Sequence, residues 1–250
     1  MAGKTYKKPP IVEAVCEFQF EEGSPWDPTI PGRVYEKVRS TFPILRQGER
    51  VTVSVIGSPE EFGPQFGTLS LMQFLRKDEK ALIQVGAHLL SVSVLKSYSS
   101  WPRFLSLIKR GFNTYRDIAT PKGIRRIGLR YINHIEIPGH DIRLEDYFEF
   151  RPHVGRGLNQ DFGTFALGIQ FPYEESRDLL NLQLASLPKQ FLSSDNATIT
   201  LSLDYFLLKP GEVALEEAFQ WVDVAHLHIE DAFEACITQR LRQLFKEVIE

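Results

Sequence analysis

The run from Ile124 to Ile137 constrains this chain more than any other stretch. Ile127, Leu129, Tyr131, Asn133, Ile135 and Ile137 fall on one side of a period-two alternation, and Arg126, Gly128, Arg130, Ile132, His134 and Glu136 fall on the other. A strand with one apolar and one largely polar face does not belong in a sheet buried on both sides. It fits an antiparallel sheet that carries helices on one face and leaves the other open. Ile11 to Phe20 repeats the pattern, with Val12, Ala14, Cys16, Phe18 and Phe20 alternating against Glu13, Val15, Glu17 and Gln19.

Around these two strands the expected elements fall into a repeating order. Val34, Val38 and Phe42 recur at fours, as on one side of a short helix ended by Pro43. Val51 to Ile56, Thr68 to Arg76 and Lys80 to Leu95 read as three strands, the last two joined by the polar turn Arg76-Lys77-Asp78-Glu79-Lys80. After Ser99-Ser100 and Pro102, the residues Trp101, Phe104, Leu105, Ile108, Phe112, Tyr115 and Ala119 mark a long amphipathic helix stopped by Pro121 and Gly123. Three further strands are expected at Phe165 to Phe171, Leu179 to Leu187 and Ala197 to Leu208, then a helical stripe from Val222 to Val248. The fold class is α+β, a curved, mainly antiparallel sheet from two similar halves, each closed by a long amphipathic helix. The expected division is an N-terminal sheet-plus-helix half at 1–138, a connecting segment at 139–163 and a C-terminal half at 164–250, together one compact unit.

Pro9-Pro10-Ile11-Val12-Glu13-Ala14-Val15-Cys16-Glu17-Phe18, Arg126-Ile127-Gly128-Leu129-Arg130-Tyr131-Ile132-Asn133 and the Phe233-Glu234-x-x-Ile237-Thr238 segment resemble a family of sporadically distributed bacterial proteins of about this length. The likeness runs over essentially the whole chain. It implies a bacterial single-unit protein, and its patchy distribution implies a mobile or defence-associated gene, toxin–antitoxin-like in kind. The family carries no assigned activity, so the resemblance transfers no catalytic residues.

Composition narrows the function classes. With 29 Lys plus Arg against 32 Asp plus Glu, a net charge of −3 and 43% apolar residues, the chain can build a real core and is no DNA coat or polybasic membrane binder. No stretch approaches a membrane span or a secretory signal, and Cys16 and Cys236 each occupy an apolar position, as free thiols do in a reducing compartment. The expectation is a cytoplasmic protein without a membrane partner.

Catalytic chemistry finds few handles. Gly155-x-Gly157 lacks a third glycine and follows no convincing strand, so it reads as a loop rather than a phosphate cradle. His226-x-His228 with Asp223 is the densest group of metal-ligating types, but residues two apart on a helix point about 200° from each other. Cys16 sits between Glu13 and Glu17, which oppose thiolate formation. The expectation is no catalytic residue, no metal and no cofactor.

Charge placement is the one departure from a bland pattern. From Lys96 to Arg130 nine basic residues stand against Asp117 alone, whereas from Asp204 to Glu234 eight acids stand against Lys209. Lys109, Arg110, Lys122, Arg126 and Arg130 are therefore the candidate surface for an anion or a nucleic acid, because Arg offers planar bidentate donors to phosphate. Glu216, Glu217, Asp223, Glu230, Asp231 and Glu234 are the candidate acidic segment for a partner. The expected function is a non-catalytic binding or interaction protein that self-associates and meets a protein partner. The alternatives are nucleic-acid binding through the Arg-rich surface, a hydrolase or nuclease with its site between the halves, and a small-ligand module with a Phe-lined pocket above the sheet.

Overall fold

Alternation turns Ile11–Phe20 (β1) and Ile124–Pro138 (β6) into antiparallel neighbours at the middle of a sheet, with Cys16 opposite Leu129 and Val15 opposite Arg130. The computed structural model describes residues 4–58, 61–96, 98–139, 142–159, 163–186 and 196–248 of the chain. Among these, the sheet has nine strands, the others being Ile44–Ser58 (β2), Glu61–Leu75 (β3), Ala81–Gly86 (β4), Leu89–Leu95 (β5), Ala166–Tyr173 (β7), Asp178–Ser186 (β8) and Asn196–Leu207 (β9). Their order is β2-β3-β4-β5-β1-β6-β9-β8-β7, and every pairing is antiparallel. The chain is thus α+β. Leu187, at the end of one expected strand, lies outside the described residues.

The helices Ile30–Val38 (α1), Trp101–Ala119 (α2), Ala218–Cys236 (α3) and Gln239–Phe245 (α4) complete the described elements. The apolar sides of β1, β5, β6, β8 and β9 form one core with the buried faces of all four helices. Phe18 lies 4.7 Å from Phe112, and Phe20 stacks on Tyr115 at 4.6 Å, so α2 is docked by aromatic rings each worth roughly 1.5–3 kcal/mol of burial. Gly111 makes that docking close, because a Cβ there would stand 2.9 Å from Val92 Cγ2 on β5. The other face carries Glu13, Glu17, Ser91, Ser93, Arg126, Arg130, Ser202 and Asp204.

Two sequence expectations are corrected. Lys80 to Leu95 is two strands, folded into a hairpin at Ala87-His88 with His88 in the left-handed region at φ 54°. The expected helical stripe to Val248 is broken, because α3 ends at Cys236 and Ile237 is extended. Ile237 pairs with Phe148, while Glu149 N–H donates to Cys236 O and the Thr238 hydroxyl donates to Asp146 O, so the break clamps part of the 139–163 connection against the core. Both cysteines are buried free thiols.

Candidate functional site

Where α2 begins, it leaves an opening between itself, α3 and the sheet. Tyr131 and Asn133 on β6, with Leu203 opposite Tyr131 on β9, make the floor. The segment before β1 closes the outer wall: Lys7 N–H donates to Lys246 O, Lys8 N–H to Phe245 O and Val248 N–H to Thr5 O. The Tyr6 hydroxyl reaches across to Glu234 Oε1 at 2.5 Å. The half-open cavity has a volume of about 330 Å³, at the small end of ordinary ligand pockets.

One face of α3 supplies the polar wall. Asp223, His226, Glu230 and Glu234 follow at spacings of three, four and four, which aligns them along the helix. Trp101, at the start of α2, stacks on His226 with ring centroids 3.9 Å apart and planes 14° from parallel. Its indole N–H donates to Asp223 Oδ1 at 3.1 Å. His226 Nε2 lies 3.2 Å from Glu230 Oε1, and its Nδ1 lies 3.3 Å from the Tyr131 hydroxyl, itself 3.1 Å from the Tyr98 hydroxyl. A carboxylate only accepts, so an imidazole proton faces Glu230 from Nε2, and the Nδ1 side closes a hydrogen-bonded chain through the Tyr131 and Tyr98 hydroxyls. Arg242 Nε donates to Glu234 Oε2 at 2.9 Å.

These contacts decide what the groups can do. Burial, with the negative field of Glu230 adding to it, pushes the Tyr98 phenol up to about 12 and Tyr131 well above its ordinary value. Burial and the Glu234 carboxylate raise Tyr6 as well. All three phenols are therefore neutral at pH 7, and His226 has both ring nitrogens engaged and one face covered by Trp101. A general base needs an open nitrogen within reach of a substrate proton, and this histidine is committed to its neighbours. Burial also raises the Cys16 and Cys236 thiols, which argues against either as a nucleophile.

The basic candidates are separated. Arg126 and Arg130 lie on the open sheet face, among carboxylates: Arg126 is 3.8 Å from Glu17 and 3.9 Å from Asp204, with its guanidinium 4.5 Å from the Phe206 ring centre. Arg130 Nε donates to Ser202 Oγ at 3.1 Å and opposes the burial-raised pKa of Glu13. Lys109 and Arg110 belong to α2 on the other side of the sheet, Lys109 over Phe219 at 5.5 Å and Arg110 bonded to Thr41 and Ser40. Lys122 is exposed just beyond α2, its backbone N–H donating to Ser24 Oγ.

Of the acidic candidates, Glu230 and Glu234 line the cavity and Asp223 holds its Trp101 wall. Glu217 accepts from Ala214 N–H at the turn before α3, and Glu216 and Asp231 are exposed. His228 faces away from His226, among Tyr173, Tyr205 and Glu174, and among the described residues no group of three or more His, Cys, Asp or Glu could hold a metal ion. Sequence reasoning missed Trp101 and Tyr131, which read as core, and made no reading of Tyr98. The polar stripe from Asp223 to Glu234, embedded in an apolar helix, was the available signal. No protein-family model matches the chain, and no curated protein matches it.

Proposed function

We propose that this chain is a non-catalytic binding protein whose ligand is a small molecule held in the cavity between α2 and α3. The observation that carries this reading is the cavity itself: about 330 Å³, walled by Tyr6, Tyr98, Trp101 and Phe233 and floored by Tyr131 and Asn133. Apolar ring surface supplies affinity in such a site, and a few fixed polar groups supply orientation. The His226 contacts favour binding over proton transfer.

The cavity's place in the sheet supports the same reading. We take the sheet as two similar units meeting along β1 and β6, because each unit pairs its first strand with its last, β1 with β5 and β6 with β9, and follows with a long helix. This puts the joint at 120–123, between α2 and β6, and not in the 139–163 connection. Ligand sites concentrate where two packed units meet, since that is where helices part.

The test is a fragment screen by thermal shift on wild type and on Ser99→Trp, a change at an exposed residue of the cavity rim. Fragments that raise the wild-type melting temperature should lose their effect in Ser99→Trp, whose own melting temperature should stay within about a degree of wild type. Fragments that stabilise both proteins equally, or none that stabilise wild type at millimolar concentration, would sink the proposal.

A further inference from the structure

Resting on the cavity as a ligand site, we infer that its ligand is a protonated primary or secondary amine with an apolar body. The inference comes from counting donors and acceptors around the wall. Trp101 gives its N–H to Asp223 and Tyr6 its O–H to Glu234, while the Tyr98 and Tyr131 hydroxyls and His226 Nδ1 form one hydrogen-bonded chain. His226 Nε2 stands 3.2 Å from Glu230 Oε1. The aromatic polar atoms of the wall are thus engaged with one another and with the α3 carboxylates.

Acceptors remain. Asn133 is 1% exposed, and its amide nitrogen donates to Leu201 O at 3.1 Å, which fixes the amide orientation and leaves its oxygen as an acceptor for an occupant of the cavity. Glu230 lines the cavity as well and meets His226 through Oε1. Among the described residues, neither Asp223 nor Glu230 has a Lys or Arg ion-pair partner. Lys4, the one cation on the rim, is paired with Glu247 at 2.7 Å, and Glu234 is balanced by Arg242.

Charge points the same way. Glu230, which lines the cavity and has no Lys or Arg partner among the described residues, outweighs the α2 amino end at Ser100, which contributes about half a positive charge. The raised phenol pKa values of Tyr98 and Tyr131 register the same negative field, since Glu230 adds to both. An ammonium brings N–H donors to the Asn133 and Glu230 oxygens and a positive charge to the faces of Tyr6, Tyr98 and Phe233, where a cation is attracted by the ring quadrupole. A carboxylate or phosphate would face acceptors and negative charge.

The experiment is calorimetric titration of the full chain with matched series from butyl to phenylethyl: the primary amine, its N-trimethyl derivative, the corresponding alcohol and the corresponding carboxylate. At pH 7 the best amine should bind at least tenfold tighter than its alcohol and than its trimethyl derivative, which has the charge but no N–H. Glu230→Gln should lower amine affinity about tenfold and leave alcohol affinity within twofold. Alcohol or carboxylate binding as tightly as amine, with Ser99→Trp blocking both, would overturn the amine inference and leave the cavity site standing. Binding of any series that Ser99→Trp leaves intact, or no binding of any member at millimolar concentration, would overturn both.

Discussion

Asp178 gathers three donors from three different parts of the chain. It is fully buried at the start of β8 and accepts from Arg177 Nη2 at 2.6 Å, from Trp221 Nε1 at 3.0 Å and from the Tyr205 hydroxyl at 3.2 Å. Asp178→Ala leaves three donors facing a cavity, one of them charged, and should cost roughly 3–5 kcal/mol. Urea unfolding followed by tryptophan fluorescence measures it, and a loss under 1 kcal/mol would mean that water replaces the carboxylate. Nothing in the local sequence announces this role, because Arg177-Asp178 looks like any exposed charge pair. The same holds for Tyr131, correctly assigned to the apolar face of β6 yet serving there through its hydroxyl. Alternation tells which way a side chain points; it does not tell whether a partner waits at that distance, since His226 and Trp101 arrive from remote parts of the chain.

At the level of elements, the helix α2 was legible because its periodicity and its Pro and Gly boundaries agree, and the structure begins and ends it at Trp101 and Ala119. What the pattern could not convey is how near the helix sits to β5. Gly111→Leu should lower stability by roughly 1–3 kcal/mol through overpacking against Val92, whereas Arg103→Leu on the exposed side should leave it unchanged; thermal unfolding of the two variants separates packing from propensity. The β4–β5 hairpin was illegible for a different reason. Gly86-Ala87-His88 interrupts an apolar run without the Asn-Gly or Asp-Gly that marks a tight turn, so the strand seemed continuous. The break at Ile237 was hidden likewise, since Ile237 is apolar in both an extended and a helical reading and Phe148, which fixes it, lies far away in sequence.

The whole molecule stores several acids whose ionisation the fold resists. Burial raises Tyr98 and Tyr115 to about 12, raises the Cys236 thiol to about 12, and raises Tyr131 and Tyr205 as well. A folded pKa above the unfolded one stabilises fully below the unfolded value, near 10 for Tyr, and the contribution is lost as pH climbs through the folded value. Each such group therefore removes up to about 1.4 kcal/mol per pH unit above its unfolded value, near 10 for Tyr and near 9 for Cys. Absorbance at 295 nm should show Tyr98, Tyr115, Tyr131 and Tyr205 ionising only together with the loss of far-ultraviolet ellipticity. Ionisation of all eight tyrosines with ellipticity intact would contradict the burial described here.

The antiparallel α+β sheet, the most general expectation from the sequence, holds at this scale, and among the described residues no helix is long and apolar enough to cross a membrane. The tie between residues 5–8 and 245–248 has a consequence in time. Thr5 and Tyr6 line the cavity, yet the backbone hydrogen bonds of their segment run to 245–248, which follow every strand of the sheet in the chain. During synthesis this wall cannot be fixed until 245–248 have left the ribosome. In the finished molecule its hydrogen bonds can part by local fraying while the sheet stays whole.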